Sequence, residues 1–257
     1  MKATWKKFKT NPYFLPNYLG MHLIVVSVLI VLSLVFFPTD LSFKPETWHF
    51  VLIPFSMMFG IFVPTLMHNC VHGNLKIKPL NTIIGELCCF FVLMGQSIIA
   101  INHTLHHAHS DTENDPHNPA NKSFMEFFFT ALISGVTVIE ETFYEFHGHT
   151  KKNQRIFKAA TLMHYAGIFL KLTLWFLILG PTLFVFFFIP AIIAYTLAFA
   201  HINYITHVVD EHGEIQIINV DSNLYYKFIN FIGSGVYYHK NHHLKPHLFN
   251  PKYMRGL

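Results

Sequence analysis

Apolar and polar residues do not alternate along most of this chain; they separate into long blocks. No charged residue falls between Lys9 and Asp40, and the centre of that gap, LIVVSVLIVLSLVFF from Leu23 to Phe37, is almost wholly apolar. A second charge-free block runs from Glu46 to Lys76, and from Lys158 to Asp210 the sole charge is Lys171. A helix needs about 20 residues to cross the hydrocarbon layer. The blocks therefore predict an all-α membrane protein of about four transmembrane helices, near 19–38, 49–67, 160–179 and 182–206. Gly180-Pro181 supplies the turn between the last two. Pro54 and Pro64 are tolerable in the second if neighbouring groups satisfy the freed backbone. Two further segments fit less simply. Asn81 to Ile101 is apolar apart from Glu86, and Phe127 to Ile139 is too short to cross and reads as a buried or interfacial helix. With no internal repeat, low-complexity tract or soluble appendage, residues 1–257 are expected to form one integral-membrane domain.

Composition agrees with the pattern and narrows it. Hydrophobic residues make up 52% of the chain and charged residues 12%, about half the share usual in soluble domains. The formal charge is +4 and no basic run is interleaved with polar spacers, so nucleic acid is not an expected partner. Lysines precede the first block (Lys2, Lys6, Lys7, Lys9), crowd between the second and third (Lys76, Lys78, Lys122, Lys151, Lys152, Arg155, Lys158), and follow the fourth (Lys227, Lys240, Lys245, Lys252, Arg255). The first external loop carries only Lys44. The positive-inside rule then puts both termini and the central segment in the cytoplasm, in a bacterial inner membrane by expectation rather than the endoplasmic reticulum. The apolar run after the basic N-terminus lacks a small-residue cleavage site and reads as a retained anchor. Cys70, Cys88 and Cys89 have no framework spacing and read as packing thiols.

Histidine changes the picture. The chain holds 19, against 18 Lys and Arg together. They gather in four places: HNCVH (His68, His72), HTLHHAH (His103, His106, His107, His109), HINYITH (His201, His207, with Asn203 between) and HKNHH (His239, His242, His243). At about 100° per residue, positions i, i+3 and i+4 share a helix face, so HxxxH and HxxHH each present a stripe of imidazoles. Ionisable groups at membrane helices usually mark function. One zinc ion takes four ligands; nine imidazoles fit two metals of four or five nitrogens each. Imidazole suits iron, zinc, copper and nickel, so ligand type leaves the metal open. HExxH and paired Glu-x-x-His motifs are missing. The clusters also bear on the doubtful segment. If 81–101 crossed once, His72 and His103 would lie about 30 Å apart, so it is expected to turn back or lie along the interface.

With these boxes the chain resembles the membrane fatty acid desaturase superfamily, whose members carry HxxxH or HxxxxH, then HxxHH, then HxxHH. HGNLKIKPLNTIIGEL, HHAHSDTENDPHNP, NYITH and GSGVYYHKNHH are similar to further family stretches, and the likeness runs from about His68 to Pro246. The resemblance implies nine metal ligands: His68, His72, His103, His106, His107, His207, His239, His242 and His243. It implies Asn203 touching the site through water, two iron ions, and a four-span helical fold whose cytoplasmic helical cap holds the histidine-rich dimetal site. The expected activity is O₂-dependent desaturation of a long-chain acyl lipid, with electrons from a separate ferredoxin or cytochrome and membrane lipids around the protein. Alkane hydroxylases and carotenoid hydroxylases and ketolases share the box scheme, so hydroxylation or ketolation at the same site is the alternative. A membrane metal-binding or transport protein is the alternative of another class.

Residues outside the boxes divide between duties. Asp115 is a candidate for orienting a ligand imidazole or for a turn beside Pro116; Glu86 for a cavity wall or an interfacial carboxylate. His109, His117, His201 and His247 are candidates for supporting contacts. His22, His49, His147, His149, His164 and His212 read as interfacial or structural. Tyr237 and Tyr238 read as interface anchors or packing. Lys171 is expected to snorkel or face polar neighbours. Lys151, Lys152, Arg155 and Lys240 read as topology determinants, with docking of an acidic electron carrier as the alternative.

Overall fold

The computed structural model describes residues 1–254 apart from Pro38, Asp111, Glu113, Asn114, Pro116 and Gly213. Arg255 and the Asp111 and Pro116 of the second box's tail thus lie outside the described residues. The chain forms α1 (Lys2–Thr10), α2 (Phe14–Phe36), α3 (His49–His72), α4 (Lys78–Phe91), α5 (Gln96–His109), α6 (Phe124–His147), α7 (Lys151–Leu183), a π-helical turn (Phe184–Phe188), α8 (Ile189–Thr206), strands β1 (His207–Val209) and β2 (Ile215–Ile217), α9 (Leu224–Ile232) and α10 (His239–Leu244).

Among the described residues, three stretches are long and apolar enough to cross a bilayer: Phe14–Phe36, His49–His72 and Lys151–Thr206. The third is not one rod. Gly180 adopts φ 68° and ψ 166°, outside helical space. Trp175 and Phe188 stack across it with centroids 5.6 Å apart, where one straight helix would hold them about 20 Å apart. The chain therefore doubles back at Gly180-Pro181. The 39–44 loop straps this turn: the Thr39 hydroxyl donates to the Leu177 carbonyl, and the Lys44 amide donates to Thr182 Oγ1 at 2.9 Å.

The long helices pack as two parallel pairs. Along α3 and α8, the Ser56 hydroxyl donates to the Phe187 carbonyl, and one turn later Gly60 lies against the Ala191 carbonyl. A β-carbon on Gly60 would sit 2.1 Å from that oxygen, so only glycine permits this approach. Lipid is as apolar as leucine, and close contact between small residues is what holds such helices together. Along α2 and α7, Gly20 faces Met163 and Leu23 faces Gly167, again in ascending order on both helices. Both α3 and α8 consequently end at the same face of the bundle, where the histidines lie.

The doubtful segment is two helices. α4 and α5 meet at an angle of 95° across residues 92–95, with Leu93 at φ 65°. The short apolar run expected over 127–139 is the first part of the 24-residue α6. Ser123 and Glu126 form a capping box at its start. Its second half hid from the apolar pattern because it is amphipathic: Thr142 and Phe143 are buried while Glu141 and Glu145 are exposed. One buried cluster, including Phe8, Leu19, Ile101, Leu105, Phe143 and Phe157, joins α1, α2, α5, α6 and α7. A second, including Val63, Met67, Cys89, Phe91, Phe188 and Ala191, joins α3, α4 and α8. Cys70, Cys88 and Cys89 are free and buried, as packing thiols should be.

Candidate metal centre

Four separate elements bring the boxes together. His68 and His72 occupy the last turn and a half of α3; His103, His106 and His107 lie on α5; His207 opens β1 directly after α8; His239, His242 and His243 lie on α10. Ligand nitrogens collect in two groups, His68–His72–His103–His242 and His106–His207–His239–His243, each within 4.8 Å throughout. His107 sits on the seam. Its Nε2 is 3.0 Å from that of His103 and 3.1 Å from that of His242, and its ring centroid is 4.5 Å from that of His243.

Helix geometry explains the division. In HxxHH, positions i and i+4 are about 40° apart around the axis, while i+3 lies on the other side of i. His103 and His107 therefore aim at the first group and His106 at the second. On α10 the assignment is reversed: His239 and His243 join the second group and His242 reaches the first. Each HxxHH box thus spans both groups, which holds the two close together.

The nitrogens fit cations better than they fit one another. An imidazole Nε2 either donates or accepts one hydrogen bond. The Nε2 of His103 has the Nε2 atoms of His72, His68 and His107 at 2.7, 2.9 and 3.0 Å, so at most one of these contacts can be a normal hydrogen bond. In the second group, His106 Nδ1 donates to Asp115 Oδ1 at 2.8 Å and His207 Nδ1 donates to the Asn203 carbonyl at 2.9 Å. Those bonds fix the tautomer, leaving each Nε2 with a lone pair. Both Nε2 atoms are buried without a hydrogen-bond partner. Eight or nine neutral imidazole nitrogens, with no carboxylate in either group, make a donor set that suits a first-row transition metal.

Electrostatics agree. Burial, reinforced by neighbouring imidazoles, holds His239, His242 and His243 well below the usual histidine range, so they stay neutral and able to ligate. Burial likewise lowers His207. Burial pushes the Asp115 carboxyl up, opposed by the His117 amide that donates to it at 2.8 Å.

A cavity of about 420 Å³ reaches these groups, within the size range of ligand sites. His68, His103, His106, His239 and His242 face it, and Leu19, Met67, Ile98, Ile139, Tyr195 and Ile202 supply apolar wall. Asn203 lines it too, its side chain donating to the Phe199 carbonyl at 2.8 Å.

Of the other candidates, His117 lines the cavity and the rest fall elsewhere. His117 packs on His106 with centroids 5.3 Å apart. His201 bonds the Tyr237 hydroxyl at 2.7 Å instead of a cage histidine. Tyr237 is fully buried and is packing, not an interface anchor; Tyr238 donates to Asp221. Glu86 is absent from the cavity wall and binds Tyr18. His22 lies 3.5 Å from Glu86, and His147 bonds the Phe8 carbonyl. The cavity also takes in Asn102, which the sequence did not single out, and His164, which it reads as interfacial or structural. His164 had no box around it, and Asn102 was overshadowed by His103.

The sequence profile described as "Fatty acid desaturase" matches residues 45–255, which takes in every histidine of both groups.

Proposed function

Because the chain belongs to the fatty acid desaturase family, we propose that it is a membrane-bound, di-iron, O₂-dependent oxidoreductase that introduces a double bond into a fatty-acyl chain. The observation that carries this reading is the pair of all-imidazole groups facing one apolar cavity. An alkyl C–H bond offers no charge for an acid or base to exploit. Iron, when bound, supplies the O₂ chemistry that such a bond requires.

The chain's own residues bind, aim and exclude water. His68, His72, His103, His107 and His242 would hold one ion; His106, His207, His239 and His243 would hold the other. Asn203 would reach the site through water, and its carbonyl orients His207. The cavity takes the acyl chain, and each buried CH₂ contributes about 0.8 kcal/mol. Forming an alkene from two methylenes yields two electrons, while reducing O₂ to water consumes four. The balance comes from a separate ferredoxin or cytochrome. The lysine distribution along the chain supports a cytoplasmic histidine end by the positive-inside rule, in a bacterial inner membrane by this reading.

The test is the lipid product profile of cells expressing the chain, set against His242→Ala. New alkenes that vanish in the variant, with membrane insertion intact, support the reading. An unchanged rate in the variant removes the site. Alcohols in place of alkenes make the enzyme a hydroxylase. Metal release without substrate oxidation makes it a transporter.

A further inference from the structure

Lys171 is the only charge between Lys158 and Asp210, and it is 4% exposed. A cation at that depth is costly and calls for a partner. Its partners are carbonyls. Nζ donates to the Met94 carbonyl at 2.5 Å and lies 3.5 Å from that of Leu93, and it sits 5.9 Å from the Phe90 ring. These carbonyls belong to the break between α4 and α5. The C-terminal end of a helix carries partial negative charge, which a cation complements.

The other side of the break is held by the opposite charge. Glu86 Oε2 accepts the Gln96 amide, the first of α5, at 3.2 Å. The Tyr18 hydroxyl from α2 donates to Glu86 at 2.7 Å, and the same oxygen accepts the Ser97 amide at 3.2 Å. Gln96 reaches back to the Asn81 carbonyl at 2.8 Å. An acid thus sits at the start of α5 and a base at the end of α4, each supplied to backbone groups that the bend has freed. Broken backbone at membrane depth survives only where protein satisfies it in this way. The break matters twice. α5 carries His103, His106 and His107 away from it, and Val92, Leu93 and Met94 at its tip line the cavity that faces those imidazoles.

We propose that Lys171 and Glu86, with Tyr18, are positioning residues: they clamp the 92–95 break from α7 and α2, and so fix both the α5 imidazoles and the cavity wall against which the substrate chain rests. The part concerning the substrate rests on the desaturase reading. Sliding the wall relative to the imidazoles changes which methylene lies nearest them, so the clamp governs where along the chain oxidation occurs.

The test uses the full chain in lipid nanodiscs, with Lys171→Met and, because the loss of a buried cation can hinder folding, Tyr18→Phe, which leaves both charges in place. Amide exchange of residues 92–97 is expected to rise at least tenfold in each variant, with exchange in the α3–α8 pair unchanged. Lys171→Met is also expected to turn one double-bond position into a mixture of positional isomers while bound metal per chain stays as in the wild type. Unchanged exchange at 92–97, a uniform rise over all helices, or faster exchange with an unaltered isomer pattern would each overturn the proposal. If the wild type makes no alkene, the desaturase reading falls by itself, and exchange with metal content alone judges the clamp. If Lys171→Met does not accumulate, Tyr18→Phe decides by the same readouts.

Discussion

The two histidine groups share a residue type and two helices, α5 and α10, yet they are held differently. In the second group, hydrogen bonds from outside the cage reach three of the four rings, and only His239 is met ring to ring, its Nε2 3.1 Å from that of His243. Asp115 holds His106, the Asn203 carbonyl holds His207, and Ser110 Oγ lies 3.4 Å from His243 Nδ1. In the first group the contacts run between the rings themselves: His68 and His72 to His103, and His107 to His242. Those nitrogen–nitrogen contacts cannot all be satisfied without a cation. The second group is therefore built to keep its aim empty or filled. The first depends on α3, α5 and α10 being packed in place and on whatever cation its nitrogens can hold.

Removing one ligand from each side should have the severest consequences. His242→Ala is expected to abolish oxidation and to lower bound metal from two ions per chain to one; His207→Ala should do the same from the other side. Elemental analysis of purified protein reads the ratio. Loss of both ions in either variant would show that the groups fill as a unit and are not held independently.

Much of this was legible in the sequence because its signals are periodic. Long charge-free blocks mark helices whose composition suits lipid, and HxxHH marks a helix face, so α3, α5 and α10 could be placed before any coordinates. The division of each HxxHH between two groups was equally implicit in the 100° step, but which of its members faced which partner depended on how α5 and α10 cross, and that is a tertiary fact. DPHN allows Asp115 either a turn or a supporting role, because nothing in it says which nitrogen the carboxylate faces; the fold brings it to His106 Nδ1. Lys171 was hardest. A lone lysine in an apolar block gives no clue to its partners, since backbone carbonyls from another helix leave no mark in the sequence.

Asp115→Ala leaves all nine imidazoles in place and removes the acceptor that fixes the His106 tautomer, together with its bond from the His117 amide. Such outer hydrogen bonds are worth about 10–100-fold in metal affinity. The loss should fall on the second group alone. In wild type a competing chelator is expected to strip the first group sooner; in Asp115→Ala the difference narrows or reverses. Metal release followed in two phases, with and without the substitution, measures this, and equal weakening of both phases would contradict it.

The mildest probe is acid on metal-free protein. His239, His242 and His243 have their folded pKa values lowered by burial, below the value of about 6.5 that an exposed histidine keeps in the unfolded chain. Below pH ~6.5 the unfolded chain binds more protons than the folded one, so stability falls as pH falls. Each ring can contribute at most about 1.4 kcal/mol per pH unit. The melting temperature in detergent should be flat from pH 8 to 7 and drop by a few degrees or more toward pH 5. Metal opposes this by competing with protons for the same nitrogens, so the loaded protein should hold its melting temperature to lower pH. A metal-free protein that gains stability on acidification would mean that these rings take up protons inside the fold, and a cage of protonated imidazoles could not be the neutral donor set on which both groups depend.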